Sequence, residues 1–139
     1  MSASWAERIL VVAPHADDET LGCGGLLTEH AGSARRVIIM SLGKSPTSPG
    51  QQTLAELREA MRRLRVSDFA VAFDGWQGRL DHRPQADLVA VLDNAIDDFR
   101  PTSVFLPYAS HHQDHRAVYT AAIAALRPRA TALAIRLVA

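Results

Sequence analysis

Residues 8–19 of the chain read RILVVAPHADDE, and this stretch decides the fold. Five apolar residues at 9–13 end at Pro14, and a histidine and three acidic side chains follow almost at once. A short apolar run that stops at a proline predicts a buried strand whose carboxyl end opens into a turn. In open α/β sheets, ligands bind at that end of a strand.

The charges that follow this strand are unfavourable on their own. Asp17 and Asp18 repel each other, and burial beside His15 would penalise all three side chains. A divalent cation would compensate for this. An alternative is that the aspartates cap a helix, because acidic side chains favour the positive amino end of the helix dipole. Helix capping, however, does not explain a second cluster of histidines found later in the chain.

Strand-like and helix-like segments alternate along the whole sequence. We predict strands at residues 9–13, 37–42, 69–73, 104–106 and 131–138, where apolar and β-branched residues are concentrated. We predict helices at 20–30 and 51–64, a third that opens at Pro84, and a fourth at 114–126. This alternation predicts an α/β fold: a Rossmann-like, doubly wound, mostly parallel sheet of about five strands with helices on both faces.

Composition narrows the class of protein. At 139 residues the chain is expected to form a single domain, 1–139. Fifteen basic and 15 acidic residues cancel, which gives no electrostatic reason to expect nucleic acid as a partner. A single cysteine, Cys23, excludes an internal disulfide framework and suits a reducing compartment. No apolar run approaches a membrane span and no signal peptide is recognised, so we expect a cytoplasmic protein.

The second cluster follows the fourth predicted strand, where residues 108–116 read YASHHQDHR. The carboxyl ends of parallel strands lie on one edge, so this cluster should meet the first. His15 and Asp18 can point to the same side, and one histidine of the second cluster would complete a His-Asp-His set. Such a set with an open coordination position is typical of catalytic zinc sites, where the metal acidifies a water molecule that attacks a carbonyl. Asp17 is then the natural general base, and a histidine beside an aspartate can act as acid or oxyanion stabiliser.

Residues 14–19 (PHADDE) and 112–116 (HQDHR), in this order, resemble the paired motifs of the LmbE/PIG-L family of zinc-dependent N-deacetylases, which are similar to GlcNAc-PI de-N-acetylase. The resemblance implies that His15, Asp18 and His115 are the metal ligands. The implied ion is Zn²⁺, with another divalent ion such as Fe²⁺ as an alternative.

The resemblance also implies roles for the neighbouring residues. Asp17 would be the general base, and His112 the general acid or oxyanion stabiliser, oriented by Asp114. The implied reaction is removal of an acetyl group from an N-acetylated small molecule, an amino sugar or glycoconjugate, by attack of the activated water. Family members commonly extend beyond the point where this sequence ends, and their C-terminal segments help wall the pocket. Either a second copy of the chain supplies that wall, or the site stays open, or the chain is a shortened copy.

Two other classes of protein remain as alternatives. One is a non-catalytic metal-binding or ligand-binding module. The other is an iron oxygenase with two histidines and one carboxylate, which uses similar ligands but usually on a β-barrel. The glycines at positions 22, 24 and 25 do not have the spacing of a dinucleotide-binding loop, so we predict no nucleotide cofactor.

Overall fold

Strands and helices alternate in the computed structural model, which describes residues 4–43, 50–128 and 136–138. Short 3-10 segments occur at Ser4–Ala6 and Leu80–His82. The regular elements, in chain order, are β1 (Arg8–His15), α1 (Asp18–Glu29), β2 (Ala34–Leu42), α2 (Gly50–Arg63), β3 (Asp68–Asp74), α3 (Gln85–Phe99), β4 (Ser103–Phe105), α4 (Gln113–Ala125) and β5 (Arg136–Val138). The predicted α/β class is confirmed.

The described strands form one five-stranded sheet in the order β3-β2-β1-β4-β5. Every neighbouring pair is parallel. β1 is the central strand, and the chain winds from it to β2 and β3 on one side, then to β4 and β5 on the other. The winding direction therefore reverses between β1 and β4, which is the position where open α/β sheets bind ligands.

Helices cover both faces of the sheet, and β1 contributes to both layers. Ile9 and Val11 pack into a core that includes residues of α1 and α2. Leu10 and Val12 pack into a second core with residues of α3 and α4. Because both faces are buried, the strand is continuously apolar rather than alternating. None of the described helices has the length and apolar character needed to cross a membrane.

The first strand is longer than the sequence predicted, since it continues through Pro14 to His15. A proline destabilises a sheet only where its missing N–H would have formed a hydrogen bond to a neighbouring strand. β4 pairs with β1 only at Ile9, Leu10 and Val11, so the proline lies beyond that pairing. On the other side the Ser41 hydroxyl donates to the Pro14 carbonyl oxygen at 2.9 Å.

The other predicted elements begin and end within three residues of those in the structure. The helix predicted from Thr20 begins at Asp18, because Asp18 and Glu19 favour the positive amino end of a helix. The beginning of the predicted fifth strand, residues 131–135, lies outside the described residues, and Arg136–Val138 pairs with β4.

Candidate metal centre

The two motifs predicted from the sequence lie at one edge of the sheet. β1 ends at His15, and α1 begins three residues later at Asp18. His115 lies in the first turn of α4, which follows β4. Because β1 and β4 are parallel neighbours, the segments that leave their carboxyl ends meet.

Three side chains converge there around one carboxylate oxygen. Oδ2 of Asp18 lies 3.2 Å from Nε2 of His115 and 3.6 Å from Nδ1 of His15. The same oxygen accepts the backbone N–H of His15 at 3.0 Å, which fixes the turn between β1 and α1. One donor atom from each of the three side chains lies within 4.8 Å of the other two. Two imidazole nitrogens and one carboxylate oxygen in this arrangement fit a divalent transition metal with an open coordination position.

Asp114 holds the ring of His15 from the opposite side. Its side chain is completely buried, and Oδ2 lies 2.7 Å from Nε2 of His15. Two backbone amides complete the arrangement: the N–H of Gly78 donates to Oδ2 at 2.5 Å, and the N–H of Leu80 donates to Oδ1 at 2.9 Å. Burial alone would raise the pKa of Asp114, but these hydrogen bonds outweigh it and hold the pKa below its usual value.

An ionised Asp114 determines the tautomer of His15. A carboxylate only accepts hydrogen bonds, so Nε2 of His15 carries the hydrogen and donates it. Nδ1 of the neutral ring then keeps its lone pair on the side that faces Asp18. A buried carboxylate that orients a histidine in this way is a common second layer around metal sites.

His112 caps α4 and lies beside the same cluster. Its Nδ1 accepts the backbone N–H of Asp114 at 3.1 Å, so the neutral ring carries its hydrogen on Nε2. Its ring centroid lies 4.8 Å from that of His15 and 5.3 Å from that of His115. Asp114 therefore contacts His112 through its backbone, while its carboxylate contacts His15.

A second group of donor atoms, from His15, His112 and Asp114, also lies close enough together to hold an ion. Several of its atoms already make hydrogen bonds, however. Both oxygens of Asp114 accept backbone amides, and Nδ1 of His112 accepts another. The group of His15, Asp18 and His115 fits a metal better, because fewer hydrogen bonds would have to be broken.

Asp17 has an unusual backbone conformation, with φ 125° and ψ −30°. It occupies the N-cap position of α1, but its side chain makes no capping hydrogen bond. Desolvation of its carboxylate and repulsion by Asp18 raise the pKa of Asp17, and the nearby histidines offset only part of this rise. A strained acidic residue with a raised pKa beside a candidate metal centre is a candidate proton acceptor.

Glu19 is the most buried acidic side chain of the first motif, with 1% of its surface exposed. Burial raises its pKa, although backbone and hydroxyl hydrogen bonds work in the opposite direction. Sequence reasoning assigned it no role. The connection that includes Gly78 was expected to cover this edge of the sheet, but the sequence did not predict that Gly78 and Leu80 donate backbone amides to Asp114.

Two clefts open beside the candidate metal centre. One, of about 360 Å³, is lined by Asp17, Glu19 and Leu21 among others. The other, of about 600 Å³, is lined by Asp18, His115, Leu21 and Tyr108 among others. Leu21 and Tyr108 are 82% and 75% exposed. The second cleft therefore gives a ligand access to the candidate metal centre, while the first opens on Asp17.

A family model described as GlcNAc-PI de-N-acetylase (PIG-L) matches residues 10–126, which include both motifs. The chain belongs to the PIG-L family. The family membership predicted from the two motifs is thus confirmed. The match covers β1 from residue 10 onward and all of β2, β3 and β4, and it ends before β5.

Two curated proteins and a solved structure are similar to this chain over most of its length. The chain is 30% identical over 134 residues to the Escherichia coli (strain K12) protein "Uncharacterized deacetylase YaiS", covering 91% of this chain and 71% of that protein. It is 28% identical over 152 residues to "Probable N-acetyl-alpha-D-glucosaminyl L-malate deacetylase 2" of Bacillus subtilis (strain 168), covering 93% and 68%. The solved structure of the conserved protein TT1542 from Thermus thermophilus superposes with a TM-score of 0.74 and 30% identity, covering 94% of this chain but only 63% of that one.

Proposed function

We propose that this chain carries the catalytic centre of a metal-dependent N-deacetylase, a hydrolase that acts on linear amides. The observation that carries the proposal is the convergence of His15, Asp18 and His115 at the switch point of the sheet, directly beside Asp17. The names of the two curated relatives, both deacetylases, support this reaction type. The Bacillus protein's name supports an N-acetylated amino sugar or glycoconjugate as the substrate class.

His15, Asp18 and His115 would hold the ion, and two nitrogen donors with one carboxylate suit zinc, with ferrous iron as the alternative. When bound, the ion supplies Lewis acidity: it polarises the amide carbonyl and lowers the pKa of water. Asp114 keeps the His15 ring in the orientation and tautomer that a ligand needs.

The remaining chemistry belongs to the side chains around the metal. As the water oxygen attacks the carbonyl carbon, the Asp17 carboxylate accepts the water proton. The Nε2–H of the neutral His112 ring donates a hydrogen bond to the oxygen that becomes negatively charged. The amine is protonated as the carbon–nitrogen bond breaks, either by Asp17, which passes on the proton it took from water, or by His112 when both of its ring nitrogens carry hydrogen. The products are acetate and a free amine, and no other reactant is needed.

The test combines metal content with hydrolysis. The chain is stripped with a chelator and reloaded with one equivalent of Zn²⁺ or Fe²⁺, and acetate release is measured from N-acetylglucosamine and its glycosides. We expect hydrolysis only after reloading. Asp17→Asn should bind the same amount of metal and lose about 100-fold or more in kcat, the usual contribution of a general base. Asp98→Asn, on an exposed part of α3, is the control.

Two results would contradict the proposal in different ways. Stoichiometric metal binding without hydrolysis of any substrate would favour a non-catalytic binding module. Hydrolysis by Asp17→Asn at the normal rate would show that another group accepts the proton.

A further inference from the structure

We infer that Glu19 is a positioning residue for Asp17: its buried carboxylate holds the backbone of Asp17 in the conformation that directs the proposed general base toward the site. The inference rests on the proposed function. It concerns a side chain that the proposed chemistry does not otherwise use.

The contacts of Glu19 are directed at the turn. Its Oε2 accepts the backbone N–H of Asp17 at 2.9 Å, and its Oε1 accepts the hydroxyl of Thr20 at 3.2 Å. Glu19 lies in the first turn of α1, and only 1% of its surface is exposed. A buried carboxylate is unfavourable unless hydrogen bonds compensate, so its presence in this turn requires a reason.

The conformation of Asp17 supplies that reason. Among the described residues, three that are not glycine have a positive φ: Asp17, Arg65 and Arg100. Arg65 and Arg100 have φ of 57° and 53°, in the ordinary left-handed region, whereas φ of Asp17 is 125°. A residue with a side chain stays in such a conformation only where its surroundings enforce it. The hydrogen bond from the Asp17 amide to the Glu19 carboxylate is the side-chain contact that holds this backbone.

The conformation matters because two consecutive aspartates have different tasks. Asp18 turns its carboxylate back to the amide of His15 and to the ring of His115. Asp17 lines the adjacent cleft together with Glu19. An ordinary helical or extended conformation at residue 17 would change the direction of the two carboxylates relative to each other. The Glu19 hydrogen bond therefore sets how the proposed metal ligand and the proposed proton acceptor are oriented.

The test compares three variants of similar size. Glu19→Gln keeps an acceptor for the Asp17 amide, and Glu19→Met removes it. Thr20→Val removes the other hydrogen bond of Glu19 and serves as the control. We expect Glu19→Met to lose about 100-fold in kcat, the effect of misplacing a reacting group by about 1 Å, with little change in KM. Glu19→Gln should recover most of the loss, and Thr20→Val should show no comparable loss.

Hydrogen exchange at the Asp17 amide gives a second readout that needs no activity. The amide should be protected in the parent chain and in Glu19→Gln, and should exchange faster in Glu19→Met. Unchanged protection in Glu19→Met, or an equal loss of kcat in Thr20→Val, would overturn the inference. If the parent chain hydrolyses nothing, the proposed function fails, and the exchange measurement still decides whether Glu19 holds Asp17.

Discussion

At the scale of single residues, Asp17 combines strain and chemistry. A φ of 125° at a residue with a side chain costs roughly 1–3 kcal/mol, which glycine avoids. We therefore expect Asp17→Gly to be about 1 kcal/mol more stable than Asp17→Ala in urea unfolding, although both should lose activity. At Arg58, an exposed position in the interior of α2, the order should reverse, because glycine weakens a helix. Equal or greater stability of Asp17→Ala would show that the backbone at residue 17 is not strained.

Cys23 offers a second test at this scale. Burial of the thiol and, to a smaller extent, the charge of Glu19 raise the pKa of Cys23 to about 11. Because only the thiolate reacts, alkylation by iodoacetamide at pH 8 should be on the order of 100-fold slower than for an ordinary thiol. The rate should rise about tenfold per pH unit until it approaches pH 11. The urea-unfolded chain is the control, and a folded-state rate that levels off below about pH 9 would contradict the assignment.

Residue types alone predicted which side chains gather at the site, but not how they contact each other. Histidines and aspartates after two strand ends are visible in the sequence, since parallel strands share an edge. The sequence does not show which groups form hydrogen bonds with the Asp114 carboxylate. Two of these contacts come from the amide of Gly78 and from that of Leu80, the first residue of the 3-10 segment Leu80–His82, which lies against α4. The φ of Asp17 is equally hidden, because aspartate has no preference for that conformation.

At the scale of elements, alternation and strand composition predicted nearly all of the described structure. The strands can be recognised as continuous apolar runs, such as residues 9–13, because both faces of this parallel sheet are buried. The predicted end of the first strand at residue 13 was wrong, because Pro14 does not end the strand. A proline ends a strand only where a neighbour needs its N–H, and the extent of β4 cannot be read from residues near Pro14.

Arg35 joins three elements and gives a prediction at this scale. From β2, its Nη1 donates to the carbonyl oxygens of Leu27 in α1 and of Leu64, just after α2, at 2.7 and 2.9 Å. Its Nη2 donates to the carbonyl oxygen of Arg65. These carbonyls lie at helix ends, where the helix itself offers no partner.

Replacing Arg35 should therefore loosen both helices. We expect Arg35→Met to lower the free energy of unfolding by about 2 kcal/mol, because the hydrogen bonds of a charged group to two partly buried carbonyls are lost. Arg35→Lys should recover only part of this loss, since one ammonium cannot reach carbonyls on two helices as a planar guanidinium does. Arg62→Met, which breaks an exposed ion pair with Glu59, should change stability by no more than about 0.5 kcal/mol. Similar losses in Arg35→Met and Arg62→Met would contradict the role of Arg35.

At the scale of the whole molecule, the candidate centre connects the two halves of the sheet. His15 and Asp18 belong to the β1–α1 turn, and His115 belongs to α4, almost 100 residues later in the chain. An ion bound by all three would therefore cross-link segments that separate on unfolding. Metal binding and fold stability should be coupled, because a ligand that binds only the folded state stabilises it by mass action.

This coupling distinguishes the two candidate groups of ligands. At a free Zn²⁺ concentration of about 100 times Kd, the stabilisation is about 2.7 kcal/mol, which for a chain of this size raises Tm by roughly 10 °C. If His15, Asp18 and His115 hold the ion, His115→Ala should abolish the shift in Tm, and His112→Ala should retain it. Differential scanning calorimetry of the chelator-treated chain, with and without metal, measures both. The opposite result, in which His112→Ala loses the shift and His115→Ala keeps it, would move the ion to the group of His15, His112 and Asp114. His112 would then be a ligand and could no longer serve as the proton donor.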